Sequence, residues 1–305
     1  MKALVISGGG SKGAFAGGVA EYLMAVENKK YDIFVGTSTG SLMVSHLASD
    51  NLSGLKELYT NICPHQIFST NPFKVTKHKG GGRDISINHF NTLLSLIKGR
   101  KTFGESKNLL KLIRNNVTRD MYETIKESDK EVIVTVSNIT LDKIEYKSLK
   151  ECDYDDFCEW IWASSNYAPF MSILNKNNYE YADGGFGTLI PIKKAIELGA
   201  KEIDVIVLET EHQLFNRMPT KNPFSLLTTL FGFMLEHIGK HNITIGKLDA
   251  KLNNVCLDLY YTPTILTTNS LIFDKKKMTK WWQQGFDFAQ KQNKFKMNEL
   301  REGCY

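Results

Sequence analysis

Apolar and polar positions change their period several times along the chain, and each change marks an element. Ala3, Leu4, Val5 and Ile6 form a short apolar run ended by Ser7 and glycines, the pattern of a buried strand over residues 2–6. From 14 to 26 the period lengthens, with Val19, Leu23 and Val26 on one helical face. Residues 31–35 predict a second buried strand and 41–48 a second helix. Strand, turn and helix twice over predict the start of a parallel α/β sheet. Downstream, the pattern predicts a helix over 109–125, strands over 131–137 and 143–147, an aromatic-rich helix over 154–164 and a short strand over 179–182. Strands over 203–208 and 255–261 and helices over about 224–250 and 278–294 complete the chain. Residues 64–105, with Lys79-Gly80-Gly81-Gly82-Arg83, have few apolar repeats before Leu93 and predict an irregular insertion or mobile cap. With no internal repeat or low-complexity tail, one domain over 1–305 is expected.

Composition narrows the partners. The 305 residues are 42% hydrophobic and 23% charged, with a formal net charge of +5. This is an ordinary globular balance. The weak positive charge suits attraction to an anionic membrane surface and is too small and dispersed for a nucleic-acid site. Cys63, Cys152, Cys158, Cys256 and Cys304 are scattered and form no C-x-x-C pair, which predicts reduced thiols in a cytoplasmic protein. The apolar run after Lys2 is too short for a secretory leader. No stretch reaches the roughly 18 apolar residues of a membrane-spanning helix.

Two glycine motifs then pose a question. Gly8, Gly10 and Gly13 match G-x-G-x-x-G directly after the first strand, a turn whose amides can hold an anion. Gly36-Thr37-Ser38-Thr39-Gly40 ends the second strand as G-x-S-x-G, where a serine on a strained strand-to-helix turn is exposed as a nucleophile. A dinucleotide site would need an acidic residue at the end of that second strand. Ser38 occupies the position, and Asp32 lies at the other end. An acyl-transfer site instead needs backbone donors beside the nucleophile, and the first glycine loop can supply them. Asp183-Gly184-Gly185 follows a short strand and offers a carboxylate where the backbone turns away.

Together these motifs resemble the patatin-like phospholipase family. The shared features are Gly8-Gly9-Gly10-Ser11-Lys12-Gly13, the G-x-S-x-G around Ser38, Asp183-Gly184-Gly185, and Ala163-Ser164-Ser165-Asn166-Tyr167-Ala168-Pro169-Phe170, all within residues 1 to about 210. The resemblance implies a three-layer α/β/α sandwich with a mostly parallel central sheet. It implies lipid or fatty-acyl ester hydrolysis by a Ser–Asp dyad, with Ser38 as nucleophile, Asp183 as base and amides of Gly8, Gly9 and Gly10 as oxyanion hole. No metal or cofactor is implied. Thr188-Leu189-Ile190-Pro191 departs from the asparagines that often follow D-G-G in the family, which bears on substrate preference.

Other readings remain open at this level. Ser38, Asp183 and one of His212, His237 or His241 would form a histidine-containing hydrolase triad. The same acyl-enzyme could serve an acyltransferase, and the glycine loop could belong to a non-catalytic nucleotide-binding module. An aspartate base places the acid limb of activity below the ordinary histidine value near 6.5, unless burial raises it strongly. Two segments are candidates for membrane contact. One is the stripe of Leu227, Leu230, Phe231, Met234, Leu235 and Ile238, which a core also explains. The other is Lys275-Lys276-Lys277 with Trp281-Trp282.

Overall fold

The computed structural model describes residues 1–77, 83–212, 220, 223–267 and 269–302. Gly80, Gly81, Gly82 and Cys304 fall outside them. Strand β1 (Lys2–Ile6) feeds helix α1 (Gly13–Glu21), which continues as a π-helical turn through Val26. Strand β2 (Ile33–Thr37) feeds α2 (Thr39–Ala48), followed by α3 (Leu52–Asn61) and the short α4 (Pro64–Ile67). A hairpin of β3 (Phe73–Lys77) and β4 (Arg83–Ile87) precedes α5 (His89–Ile97), α6 (Lys107–Asn116) and α7 (Arg119–Glu127). Then come β5 (Glu131–Asn138), β6 (Lys143–Ser148), α8 (Tyr154–Ser164), β7 (Leu174–Lys176) and β8 (Tyr179–Asp183). The chain closes with α9 (Ile192–Glu197), β9 (Glu202–Val207), α10 (Pro223–Leu252), β10 (Cys256–Tyr261) and α11 (Lys275–Glu302).

Eight strands form one mixed, mostly parallel sheet, in which β10, β9, β1, β2 and β5 run side by side and parallel. Strands β6 and β8 pair antiparallel with β5, and β7 with β8. Side chains alternate between faces along each strand. Leu4, Ile6, Phe34, Val132 and Val134 pack under α1, α2, α3, α6, α7, α8 and α11. Ala3, Val5, Ile33, Val35, Ile133 and Val205 pack under α9 and the inner side of α10. The result is the expected helix–sheet–helix sandwich.

Three expectations are corrected. The helix expected over 109–125 is two helices, broken before Thr118, whose hydroxyl caps α7 by accepting from the Met121 amide at 3.2 Å. The described part of residues 64–105 is not irregular, since α4, a hairpin off the main sheet and α5 lie within it. Trp281 and Trp282 are not interfacial aromatics: they are only 6% and 1% exposed. The Trp282 ring fills a slot that glycine opens, because a Cβ on Gly17 would lie 2.1 Å from it. Its Nε1 donates to Glu21 at 2.5 Å.

Trp282 is therefore part of the α1–α11 contact. Trp282→Ala is expected to lower stability by roughly 3–5 kcal/mol, the usual cost of emptying a large aromatic site. Urea unfolding checks this; a change below about 1 kcal/mol would mean that the slot is not structural.

Candidate active site

The turn from β2 into α2 is built by what it excludes. Ser38 has φ 55° and ψ −119°, a left-handed conformation rare for a residue with a Cβ. A Cβ on Gly36 would sit 2.4 Å from the Gly40 carbonyl carbon, and one on Gly40 would sit 2.3 Å from the Ile6 carbonyl oxygen. Gly36 thus lets the turn fold tightly onto the start of α2, and Gly40 lets α2 start this close to β1. The strained peptide is clamped from α8. The Ser38 amide donates to Ser164 Oγ at 3.0 Å, and Ser165 Oγ donates to the Ser38 carbonyl at 3.1 Å. Ser164 Oγ also shares a 2.6 Å hydrogen bond with Ser41 Oγ. Sequence inspection marked these two serines only as part of a family segment; small polar residues are too common for their role to be read otherwise.

Asp183 reaches Ser38 through sheet register. Thr37, the last residue of β2, pairs with Thr135 of β5, while Asp183, the last residue of β8, pairs with Val136. Since β6 covers the opposite edge of β5, β2 and β8 share one edge and meet end on. Ser38 Oγ donates to Asp183 Oδ2 at 2.7 Å, and the Gly185 amide donates to Oδ1 at 2.8 Å. The main chain of Asp183 is fixed as well, its amide donating to Asn166 O at 3.0 Å and its carbonyl accepting from Ser137 Oγ at 2.8 Å. The residue as a whole is 5% exposed. Burial pushes its pKa up to about 7, against the hydrogen bonds from Ser38 and Gly185, which favour the charged form.

No histidine joins this pair among the described residues. His212, His237 and His241 are exposed. His46, which sequence inspection did not single out, is buried on α2 with its pKa lowered by burial to about 4, so it stays neutral. No group of three metal-type ligands occurs among the described residues.

The first glycine loop lies against the nucleophile, since a Cβ on Gly8 would be 3.2 Å from Ser38 Cβ. Its three amides are not equivalent. The Gly8 amide donates to Leu189 O at 3.0 Å, which engages it away from any substrate. For the Gly9 and Gly10 amides no backbone acceptor is present among the described residues. Gly10 has φ 55°, and a Cβ there would lie 2.4 Å from Ser270 O, so only glycine suits the position. Asp32, which directly precedes β2 in the chain, accepts from the Lys2 amide at 2.8 Å, at the opposite end of that strand from Ser38.

Ser38, Asp183 and the loop line a cavity of about 900 Å³. Its lining includes the apolar side chains of Leu42, Leu58, Ile62, Leu109, Ile113 and Val117 and the charged side chains of Glu209, Glu211 and Lys247. Lys12, mostly buried beside the loop, pairs with Glu209 at 2.5 Å.

A patatin-like phospholipase family model matches residues 4–196, and the chain belongs to that family. The crystal structure of VipD from Legionella pneumophila is similar in fold, with a TM-score of 0.52 at 13% identity. That match covers 95% of this chain and 66% of VipD, so the chain spans just under two thirds of that protein. No curated protein sequence matches the chain.

The raised pKa carries a stability consequence. A carboxyl whose folded pKa lies above its unfolded value adds stability below the unfolded value, and this is lost as pH rises through the folded one. For Asp183 the window runs from about 3.8 to about 7. Asp183→Asn, neutral at every pH, is expected to melt above the wild type at pH 8, with the gap closing toward pH 4. Calorimetry at the two pH values checks the sign, and an equal gap at both would contradict it.

Proposed function

We propose that this protein is a lipid acyl hydrolase, of phospholipase A or lysophospholipase type, working through a Ser38 acyl-enzyme. The observation that carries this is the 2.7 Å hydrogen bond from the strained, cavity-facing Ser38 to a buried carboxylate. Ionised Asp183 takes the hydroxyl proton as Ser38 Oγ attacks the ester carbonyl. Negative charge develops on the carbonyl oxygen, and the Gly9 and Gly10 amides are its donors; Gly8, tied to Leu189, sets the loop rather than donating. Collapse breaks the C–O bond, and the alcohol leaves with the proton held by Asp183. Water, deprotonated by the same carboxylate, then clears the acyl group.

The apolar side chains in the cavity lining suit a fatty acyl chain. Transfer to an acceptor other than water uses the same acyl-enzyme and differs only in what enters the second step. A histidine triad has less support, because the three candidate histidines are exposed and none bonds Asp183 among the described residues. A nucleotide module has less support too, because β2 itself ends in Gly36-Thr37 and passes into Ser38 with no acid of its own, and Asp183, which reaches that end from β8, is bonded to Ser38. We place the protein in the cytoplasm, at the periphery of anionic membranes. Its described cysteines are unpaired, and no described helix is long and apolar enough to cross a membrane.

Ser38→Ala is expected to abolish fluorophosphonate labelling and p-nitrophenyl ester turnover with an unchanged circular dichroism spectrum. More than a few per cent residual turnover would sink the assignment. Asp183→Asn should lower kcat by about 10²–10⁴-fold, whereas alanine at His212, His237 or His241 should leave it within about tenfold. The acid limb of kcat/KM is expected near 7. Burial thus moves it above the position expected for an ordinary aspartate and onto that of a histidine, so the substitutions decide and the pH profile does not.

The loop has its own test. Gly10→Ala should lower kcat more than it raises KM, because the displaced donor acts mainly in the transition state. A pure KM effect, or micromolar NAD binding by calorimetry, would reassign the loop.

A further inference from the structure

Helix α5 is built inside out. Its buried side chains are Thr92 and Ser95, at 8% and 0% exposure, and Ser95 Oγ donates to Phe103 O at 3.2 Å. Its outward face carries Phe90, Leu93, Leu96 and Ile97, which are 74%, 57%, 57% and 73% exposed. An amphipathic helix normally buries its apolar stripe. The first half of α10 does something similar. Leu226, Leu230, Phe233 and Met234, spaced i, i+4, i+7 and i+8, are 46–54% exposed, while Thr228, Gly232 and Leu235 line the cavity.

The two faces flank one aromatic cluster. Asn88 and Asn91, at the start of α5, bond to the Pro72 and Asn71 carbonyls at 2.7 and 2.8 Å. Phe73, which follows, and Phe103, to whose carbonyl α5 bonds, both pack on Phe170, at 5.6 and 6.1 Å between ring centroids. Phe231 of α10 packs on Phe170 and on Tyr167, each at 6.0 Å, and Tyr167 lines the cavity with Ser38 and Asp183. The two helices that carry the exposed apolar faces are therefore joined, through a buried aromatic cluster, to the walls of the cavity.

Its charge selects the occupant. Residues 89–101 contain Lys98, Arg100 and Lys101 and no acidic residue, and residues 223–235 contain no charged residue at all. Arg100 and Lys101 are balanced by Glu105 and Glu180, whereas Lys98 is exposed at the end of the apolar face. Apolar side chains bordered by a cation and free of carboxylates fit a bilayer with anionic head groups.

We infer that the outward faces of α5 and of the first half of α10 form a membrane-docking surface that seats the cavity on an anionic bilayer. This rests on the lipid-hydrolase reading, and it places the substrate's source against the helix that walls the site. The aliphatic and aromatic side chains enter the interface, Lys98 meets the head groups, and a lipid moves from the bilayer past α10 to Ser38.

The test uses full-length protein with Ser38→Ala as background, so that partition is read without hydrolysis and fails independently of the catalytic proposal. Flotation with phosphatidylserine-containing and pure phosphatidylcholine vesicles is compared for that protein, for added Phe90→Ser with Ile97→Ser, and for added Phe233→Ser with Met234→Ser. Preferential binding to the anionic vesicles, weakened about tenfold or more by either pair and reduced by Lys98→Glu, supports the surface. In the Ser38-containing protein, each pair should spare hydrolysis of a soluble short-chain ester while lowering that of vesicle lipid. Because the two pairs lie on different helices, misfolding of one leaves the other decisive. Absence of anionic-vesicle binding, or binding unchanged by the folded pair, would overturn it. So would a dimer that the same substitutions dissociate, which would assign the surface to a second copy of the chain.

Discussion

Strands β2 and β8 share one edge of β5 and meet end on, and the site depends on that meeting. The adjacent pairs Thr37 with Thr135 and Asp183 with Val136 leave the residue after β2 and the last residue of β8 nowhere to go but toward each other. Because β8 runs antiparallel, its carboxyl end arrives where β2 stops. Ser38 and Asp183 are 145 residues apart in sequence, yet their 2.7 Å contact is held by strand ends rather than mobile loops. Sites on such elements keep their geometry without help from the substrate. Even the turn away from the site is imposed, since a Cβ on Gly184 would stand 2.3 Å from the Thr135 carbonyl oxygen.

Two costs are concentrated there, and both serve the proposed chemistry. Ser38 holds a backbone conformation that costs of order 1–3 kcal/mol unless its surroundings over-determine it. Ser164 and Ser165 do so, bonding the amide and the carbonyl of the same residue. Asp183 is withdrawn from water, which raises its pKa far more than its two hydrogen bonds lower it. An exposed carboxylate would be stable but a feeble base; a buried one is strained toward protonation and takes a serine proton more readily. Stability given up at a site is a common accompaniment of activity.

How much of this the sequence disclosed follows from what kind of residue carries each feature. Gly36, Gly40 and Gly10 are legible because their backbone path forbids any Cβ, so identity records geometry. The buried strands are legible because β1, β2, β5 and β9 are covered on both sides and read as mostly apolar runs, interrupted only by Thr135 in β5 and Asp204 in β9. Ser164 and Ser165 act through contacts that their type does not advertise. The Gly8–Leu189 bond joins main chain to main chain and leaves no trace in residue identity. Trp281-Trp282 beside three lysines looks alike in a core and at a lipid surface; what decides is a slot at Gly17 and Gly18, far earlier in the chain. Helix α5 carries the ordinary i, i+3, i+4, i+7 apolar spacing at Phe90, Leu93, Leu94 and Ile97, so the helix was legible; what the spacing does not disclose is that Phe90, Leu93 and Ile97 point outward.

Which anion a glycine loop could hold depends on its neighbour as much as on the loop. A turn of amides at the start of a helix favours negative charge of any origin. What a dinucleotide adds is a ribose, and a ribose needs an acid at the end of the next strand. Here that place belongs to Ser38, and Asp32 is spent at the opposite end on the Lys2 amide. The loop has also committed Gly8 to Leu189, which narrows its open donors to Gly9 and Gly10. Two adjacent donors beside a nucleophile match a single oxygen that becomes charged only during reaction. In the proposed reaction Ser38 would therefore both take the place of a ribose site and supply the carbonyl adduct whose oxygen the remaining amides would serve.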